Sequence, residues 1–334
     1  MSDAARMVLS FGVAGATAAL VMPSTIRMAV RTGFIDAPHG WRTHRRPTPC
    51  LGGLAILVAV VVGLLVAGPV PGLWAVLVAA GALFLVGLVD DRVNLTAKAR
   101  IAVELAAGVL LWAGGWGWHS IGPSWFECVL SAIWVVGVVN AVNLLDLMDG
   151  VASATVAACS LSVAVLAVID GSHAAVIVAC ALVGACVGFL PYNLARPSRS
   201  FLGDSGTMFM GGVLAATVMH TVGGHAGGVL SLAAAALLVG LPLLDLVFRT
   251  LLRLRRRIPL MTGGPDSLAN RLQDLVGSPR AVSLLAAVVQ LAVGLLAAAA
   301  FEAGETAIAL AAVCAVGAGW ALAWALQTRT GAAR

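Results

Sequence analysis

The chain has 334 residues, 60% of them hydrophobic and only 10% charged, with a mean hydropathy of +1.01, which excludes a soluble globular domain. Its net charge of +5 and pI near 9.2 do not call for nucleic acid, because the cations fall where membrane topology would put them. No soluble domain, long linker, low-complexity tract or repeat interrupts the apolar pattern, so residues 1–334 read as one integral membrane domain.

Apolar runs of about 17 to 22 residues, long enough as helices to cross a hydrocarbon core of about 30 Å, recur from end to end. They predict an all-α polytopic membrane protein with ten to eleven transmembrane helices, at 8–30, 51–68, 72–89, 101–115, 126–143, 151–169, 174–190, 206–222, 228–248, 281–300 and 306–326. The first run is too long, and lacks the small-residue cleavage site, for a removable signal peptide. With the N-terminus outside, Arg6 is the one clearly external cation and the remaining loop arginines face inward. The six cysteines lie scattered in or beside the spans without metal-type spacing and read as small core residues.

Acidic residues beside a membrane are expensive and tend to be functional, and they gather on the inner side. The first inner loop, Asp36 to Gly53, is shaped by prolines and glycines and carries His44, Arg45 and Arg46, cations suited to phosphates or anionic head groups. Asp90 and Asp91 follow the third apolar run. Adjacent carboxylates repel, and either a hard cation such as Mg²⁺ or pairing with Arg92 would relieve them. Asn140, Asn143, Asp146 and Asp149 recur every third residue, a polar stripe along a helix end that needs partners next to lipid. Interhelical hydrogen bonding would explain the asparagines but not the two carboxylates.

Further on, Phe201-Leu202-Gly203-Asp204-Ser205-Gly206 places exposed amides and a carboxylate at a helix start. That suits phosphate and a metal, although Asp204 taken alone is also a common N-cap. The last inner loop, Arg249 to Arg280, is the longest and most basic, able to line a site or to anchor a helix end. Carboxylates for a metal, amides and cations for phosphates and a lipid-facing wall describe one site. It would join a water-soluble phosphorylated donor to a lipid phosphate.

Five ordered segments, "DAPHGWRTHRRPTPCLGGLAI", "DDRVNLTAKARIAVE", "NAVNLLDLMDGVA", "FLGDSGTMFMG" and "PLLDLVFRTLLRLRRR", resemble the polyprenyl-phosphate N-acetylhexosamine-1-phosphate transferases over nearly the whole chain. The resemblance implies an Mg²⁺-dependent enzyme, with Mn²⁺ as a substitute, in the bacterial inner or plasma membrane with its site on the cytoplasmic face. It would transfer a sugar-1-phosphate, foremost N-acetylglucosamine-1-phosphate, from a UDP-sugar to a polyprenyl phosphate and release UMP, for cell-wall, lipopolysaccharide or teichoic acid synthesis. Homodimers are common in similar enzymes.

By the same resemblance Asp204, with Asp91 in support, would hold the metal, and Asp90 would orient or deprotonate the lipid phosphate, with Asp91 assisting. Asn143, Asp146 and Asp149 would belong to the nucleotide and metal pocket, Asn193 and Phe201 to the uridine contacts, and His44, Arg45 and Arg46 to the phosphates. Three departures stand out. Leu147 replaces a glycine, Arg100 and Glu104 replace lysine and glutamine, and the histidine-rich motif of the last inner loop is absent, with Arg271 as the substitute charge. The alternatives are a phospho-N-acetylmuramoyl-pentapeptide transferase, a transporter or flippase of lipid-linked sugars, which would need acids or broken helices near mid-membrane, and a non-catalytic scaffold.

Overall fold

A computed structural model describes residues 1–37, 46–224, 228–259, 264 and 266–331. Among them the order is α1 (Asp3–Thr32), β1 (Ile35–Asp36), β2 (Thr48–Pro49), α2 (Gly52–Ala67), α3 (Leu73–Val93), α4 (Ala97–Ala113) and α5 (Ser124–Leu145). There follow α6 (Val151–Ile169), α7 (His173–Asn193), α8 (Gly203–Val222), α9 (Val229–Leu238), α10 (Gly240–Arg256), α11 (Leu268–Val276), α12 (Pro279–Ala303) and α13 (Glu305–Gly331). The strands form a single antiparallel pair that brackets the first inner loop, with Ile35 opposite Pro49.

A helix stands at each of the eleven expected spans. Seven of them are at least 18 residues long and apolar enough to cross a bilayer unaided, or eight with α9 and α10 counted as one bent span. Two others are short: α2 has 16 residues and α4 has 17. Helix α8 has the length, at 20 residues, but is less apolar than the seven, and protein rather than lipid surrounds it. From Ser205 to Val222 every side chain except His220 is buried, so helix packing rather than lipid selects its glycines and threonines. A Cβ on Gly53 of α2 would lie 2.3 Å from the Gly206 Cα of α8, so the two backbones touch. The outer surface is the reverse. Leu20, Leu65, Trp125 and Val313 are each at least 70% exposed, a display that water would not tolerate and lipid favours. This is a multi-pass membrane protein.

The ninth expected span is broken. Helices α9 and α10 diverge by 89° on either side of Val239. Pro242 has no N–H to give to Leu238, four residues earlier, and such a gap must be filled in an apolar interior. Gln290 of α12, fully buried, fills it: its Nε2 donates to the carbonyls of Leu238 at 2.9 Å and Leu237 at 3.3 Å, while its Oε1 accepts from the Leu241 N–H at 2.7 Å.

Inter-helix contacts sort the loops into two ends. Arg92 reaches the carbonyl of Thr32, Arg280 that of Leu194, Arg249 that of Leu144, and Asn193 meets Gly150, all at one end. At the other, Arg6 bonds the carbonyls of Ala67 and Pro69, Trp116 that of Pro71, and His220 meets Gly115. The acids singled out from the sequence belong to the first end.

Candidate transfer site at the inner helix ends

The site begins in the last turn of α3. Neighbouring residues on a helix point about 100° apart, so Asp90 and Asp91 face different helices. Asp90, 5% exposed, turns toward α4: its Oδ2 lies 2.7 Å from Nη1 of Arg100 and its Oδ1 accepts from the Leu95 N–H at 2.5 Å. Asp91 turns toward α8, accepting from the N–H of Asp204 at 2.7 Å and of Ser205 at 3.2 Å. The residue preceding α8 is Leu202, which has no capping side chain, so a carboxylate from another helix satisfies the orphan amides and the positive end of the dipole. This close approach requires Gly87, one turn earlier, where a Cβ would stand 2.5 Å from the Asp204 carbonyl oxygen.

Asp204 itself projects from the first turn of α8. Nδ2 of Asn143 donates to its Oδ1 at 2.8 Å and to Oγ1 of Thr207 at 2.9 Å. Its Oδ2 lies 3.8 Å from Arg100, and its side chain is 39% exposed. Arg100 therefore lies between Asp90 and Asp204, and Asp91 joins them through the α8 backbone, so that one guanidinium stands against three carboxylates and two formal negative charges remain.

This arrangement suits a divalent cation, and the donor set is specific about how. No group of three His, Cys, Asp or Glu forms a closed ligand cage among the described residues. Mg²⁺ seldom uses one, keeping waters and taking one or two carboxylates together with substrate phosphates. Asp204 is the carboxylate best placed to serve, because its side chain is the more exposed of the Asp90–Asp204 pair that flanks Arg100 and neither of its oxygens is bonded to a backbone amide among the described residues. Asp91 has both oxygens engaged by α8, so its first task here is to position Asp204, although each oxygen retains a second lone pair. Asp90, bonded through both oxygens, is placed to hold Arg100 and so favours orientation over deprotonation.

Asn140 donates to Oε2 of buried Glu104 at 2.6 Å, joining α5 to α4 through one of the residues that depart from the family pattern. Asp146 and Asp149 lie in the turn after α5, and Asp149 lines a cavity of about 170 Å³ with Arg196, Ser198 and Arg280. Phe201 is half-buried, its main chain paired with Pro49 and Gly52.

Two expected ligands are turned inward. Asn193, 2% exposed, accepts from the Gly150 N–H at 2.6 Å and donates to the Ser200 carbonyl at 2.9 Å, so it ties two loops together. Arg271, 8% exposed, lies over the Phe248 ring at 5.3 Å. Arg46 is exposed beside β2, while His44 and Arg45 lie outside the described residues.

The residues that sequence reading missed are those whose role is to hold others. Arg100 bridges Asp90 and Asp204; its only signal was a cation one helix start after a carboxylate pair. Asp245 and Arg249, an i,i+4 pair on α10, and Arg253 with Asp266 secure the last inner loop. Burial works to raise the Asp266 carboxyl, but the hydrogen bond and charge of Arg253, helped by Arg249, outweigh it and hold that carboxyl below the ordinary aspartate range.

The description "Glycosyl transferase family 4" matches residues 73–222, the stretch from α3 through α8 that builds the carboxylate cluster. A decaprenyl-phosphate N-acetylglucosaminephosphotransferase of Mycolicibacterium smegmatis is 31% identical, covering 85% of this chain and 80% of that protein. A probable undecaprenyl-phosphate N-acetylglucosaminyl 1-phosphate transferase of Bacillus subtilis is 26% identical over 80% of this chain and 77% of its own length. A phospho-N-acetylmuramoyl-pentapeptide-transferase of Moorella thermoacetica is 32% identical over 55% of this chain and 65% of its own.

Proposed function

The chain belongs to glycosyl transferase family 4, the polyprenyl-phosphate sugar-1-phosphate transferases, and from that premise we propose that it moves N-acetylglucosamine-1-phosphate from a UDP-sugar to a polyprenyl phosphate. An oxygen of the lipid phosphate attacks the sugar-linked phosphorus of the donor. The bond to the UMP phosphate breaks, leaving polyprenyl-diphosphate-sugar and UMP. The observation that carries this reading is the placement of Asp90 and Asp204 on either side of Arg100, with Asp91 capping the helix that bears Asp204, at the cation-rich end of the bundle. That end is cytoplasmic by the distribution of arginines.

Mg²⁺, when bound, would neutralise charge on the transferring phosphates. Asp204 would hold it, Asn143 fixes the Asp204 rotamer, and Asp91 fixes the backbone beneath it. Arg100 is placed to receive phosphate charge beside Asp204. A lipid phosphate is largely ionised at neutral pH, so alignment contributes more than proton removal, in keeping with the engaged state of Asp90. Asp90, Asp91 and Asp204 lie at helix ends, and the broken span at Val239 is filled by the neutral amide of Gln290 rather than by an acid, which favours transfer over transport.

The test is UMP release by the purified full-length protein with polyprenyl phosphate and a panel of UDP-sugars, with Mg²⁺ and with chelator. UDP-N-acetylglucosamine should give lipid-linked sugar and UMP only with the metal. Turnover of UDP-N-acetylmuramoyl-pentapeptide instead would shift the donor to that of the Moorella relative, and no UMP from any donor would end the proposal.

A further inference from the structure

Away from the carboxylate cluster, the greatest concentration of buried charge lies on α10 and the loop that follows. Asp245, Arg249 and Arg253 are 1%, 3% and 3% exposed, and such groups are tolerable only when paired and hydrogen-bonded. Two of the three bond directly to the loop. Asp245 accepts from the Leu268 N–H at 2.6 Å at the start of α11, and Arg253 grips Asp266 with two bonds of 2.5 and 3.2 Å. Arg249 reaches further. Beside its ion pair with Asp245 at 3.9 Å, its Nη2 donates to the Gly264 carbonyl at 3.2 Å and its Nη1 to the Leu144 carbonyl at 2.8 Å.

Leu144 is in the last turn of α5, where carbonyls have no intrahelical donor. Its neighbour Asn143 is the residue that holds Asp204. One guanidinium thus joins α10, the last inner loop and the helix end that carries the Asp204 amide partner.

We propose that Arg249 is a positioning residue for transfer: by capping α5 it sets Asn143 and through it Asp204, and by holding Gly264 it registers the last inner loop against that same helix end. The proposal rests on the transferase reading for its effect on turnover, but not for the mechanical coupling. Arg253 is the internal comparison, because its bonds among the described residues go to the loop, at Asp266 and Pro259.

The experiment uses the full-length protein in detergent as wild type, Arg249→Gln, Arg249→Lys and Arg253→Gln. Amide hydrogen exchange is followed at 141–149, 264–271 and, at the opposite end, 110–122. Arg249→Gln should speed exchange at both 141–149 and 264–271 and leave 110–122 unchanged. Arg253→Gln should affect 264–271 alone, and Arg249→Lys, able to serve one carbonyl but not both, should fall between. In the transfer assay Arg249→Gln should lower kcat about 10- to 100-fold while KM for the UDP-sugar changes less than about threefold, as expected of a supporting residue.

Wild-type exchange at 141–149 in Arg249→Gln would overturn the proposal, as would unchanged kcat. Acceleration at both ends of the bundle in both Arg249 variants would overturn it too, making the residue one of general stability. A wild-type protein that turns over no donor would sink the transferase reading, while the exchange pattern would still decide the coupling.

Discussion

The main-chain N–H of Asp204 donates to Oδ1 of Asp91 at 2.7 Å, across 113 positions of sequence. A carboxylate that the sequence offers as a metal ligand is first of all the cap of another helix. The same bond that stabilises the α8 terminus holds the accessible carboxylate of Asp204 in place, so stability and chemistry share one contact.

Asp204→Asn and Asp91→Asn should therefore fail differently. Asp204→Asn keeps the fold and lowers turnover by about 10²-fold or more, with Mg²⁺ half-saturation shifted upward. Asp91→Asn weakens a charge-assisted cap and lowers thermal stability by about 1 kcal/mol along with turnover. Metal titrations and detergent melting curves separate the two, and full activity in Asp204→Asn would contradict its role.

Gly87→Ala should damage the site without touching a charged group. Its Cβ would lie 2.5 Å from the Ser205 nitrogen, so α3 and the start of α8 must separate and the bonds from Asp91 must lengthen. Turnover should fall, and so should melting temperature. Gly81→Ala, on the same helix with nothing within 4 Å, is the control and should behave as wild type.

Gln290→Leu should cost about 1–3 kcal/mol, the penalty for leaving buried backbone groups without partners at the α9–α10 break. Thermal unfolding in detergent reads this directly. A Leu variant as stable as wild type would mean that other groups cover the Leu238 carbonyl.

The Arg253–Asp266 pair should make the last inner loop sensitive to acid in one direction. Because the folded carboxyl lies below its unfolded value, its contribution is complete above the ordinary aspartate pKa of about 3.9. It is lost as pH falls through the depressed folded value. Proteolysis of the loop should thus be flat from neutral pH down to about 4 and rise below that, while Asp266→Asn should be cut faster at neutral pH and lack the acid step.

Much of this protein was legible in one dimension. Long apolar runs can be satisfied only as helices in lipid, so the class, the places of the eleven helical segments and the grouping of the acids at one end follow from hydropathy and the placement of arginines. The motifs carrying Asp90, Asp91, Asn143 and Asp204 were visible because each is a cluster of polar residues beside a span. What each one does was not visible. Which helix Asp91 faces, that Asn193 and Arg271 point into the protein, and that Arg100 stands between two carboxylates are facts about residues far apart in the chain. The break at Val239 was hidden for the same reason: Gln290 arrives from α12, far along the chain, to fill the gap that Pro242 leaves at the 89° bend. Solvent preference acts residue by residue and is written locally, whereas hydrogen-bond partners are chosen by three-dimensional packing.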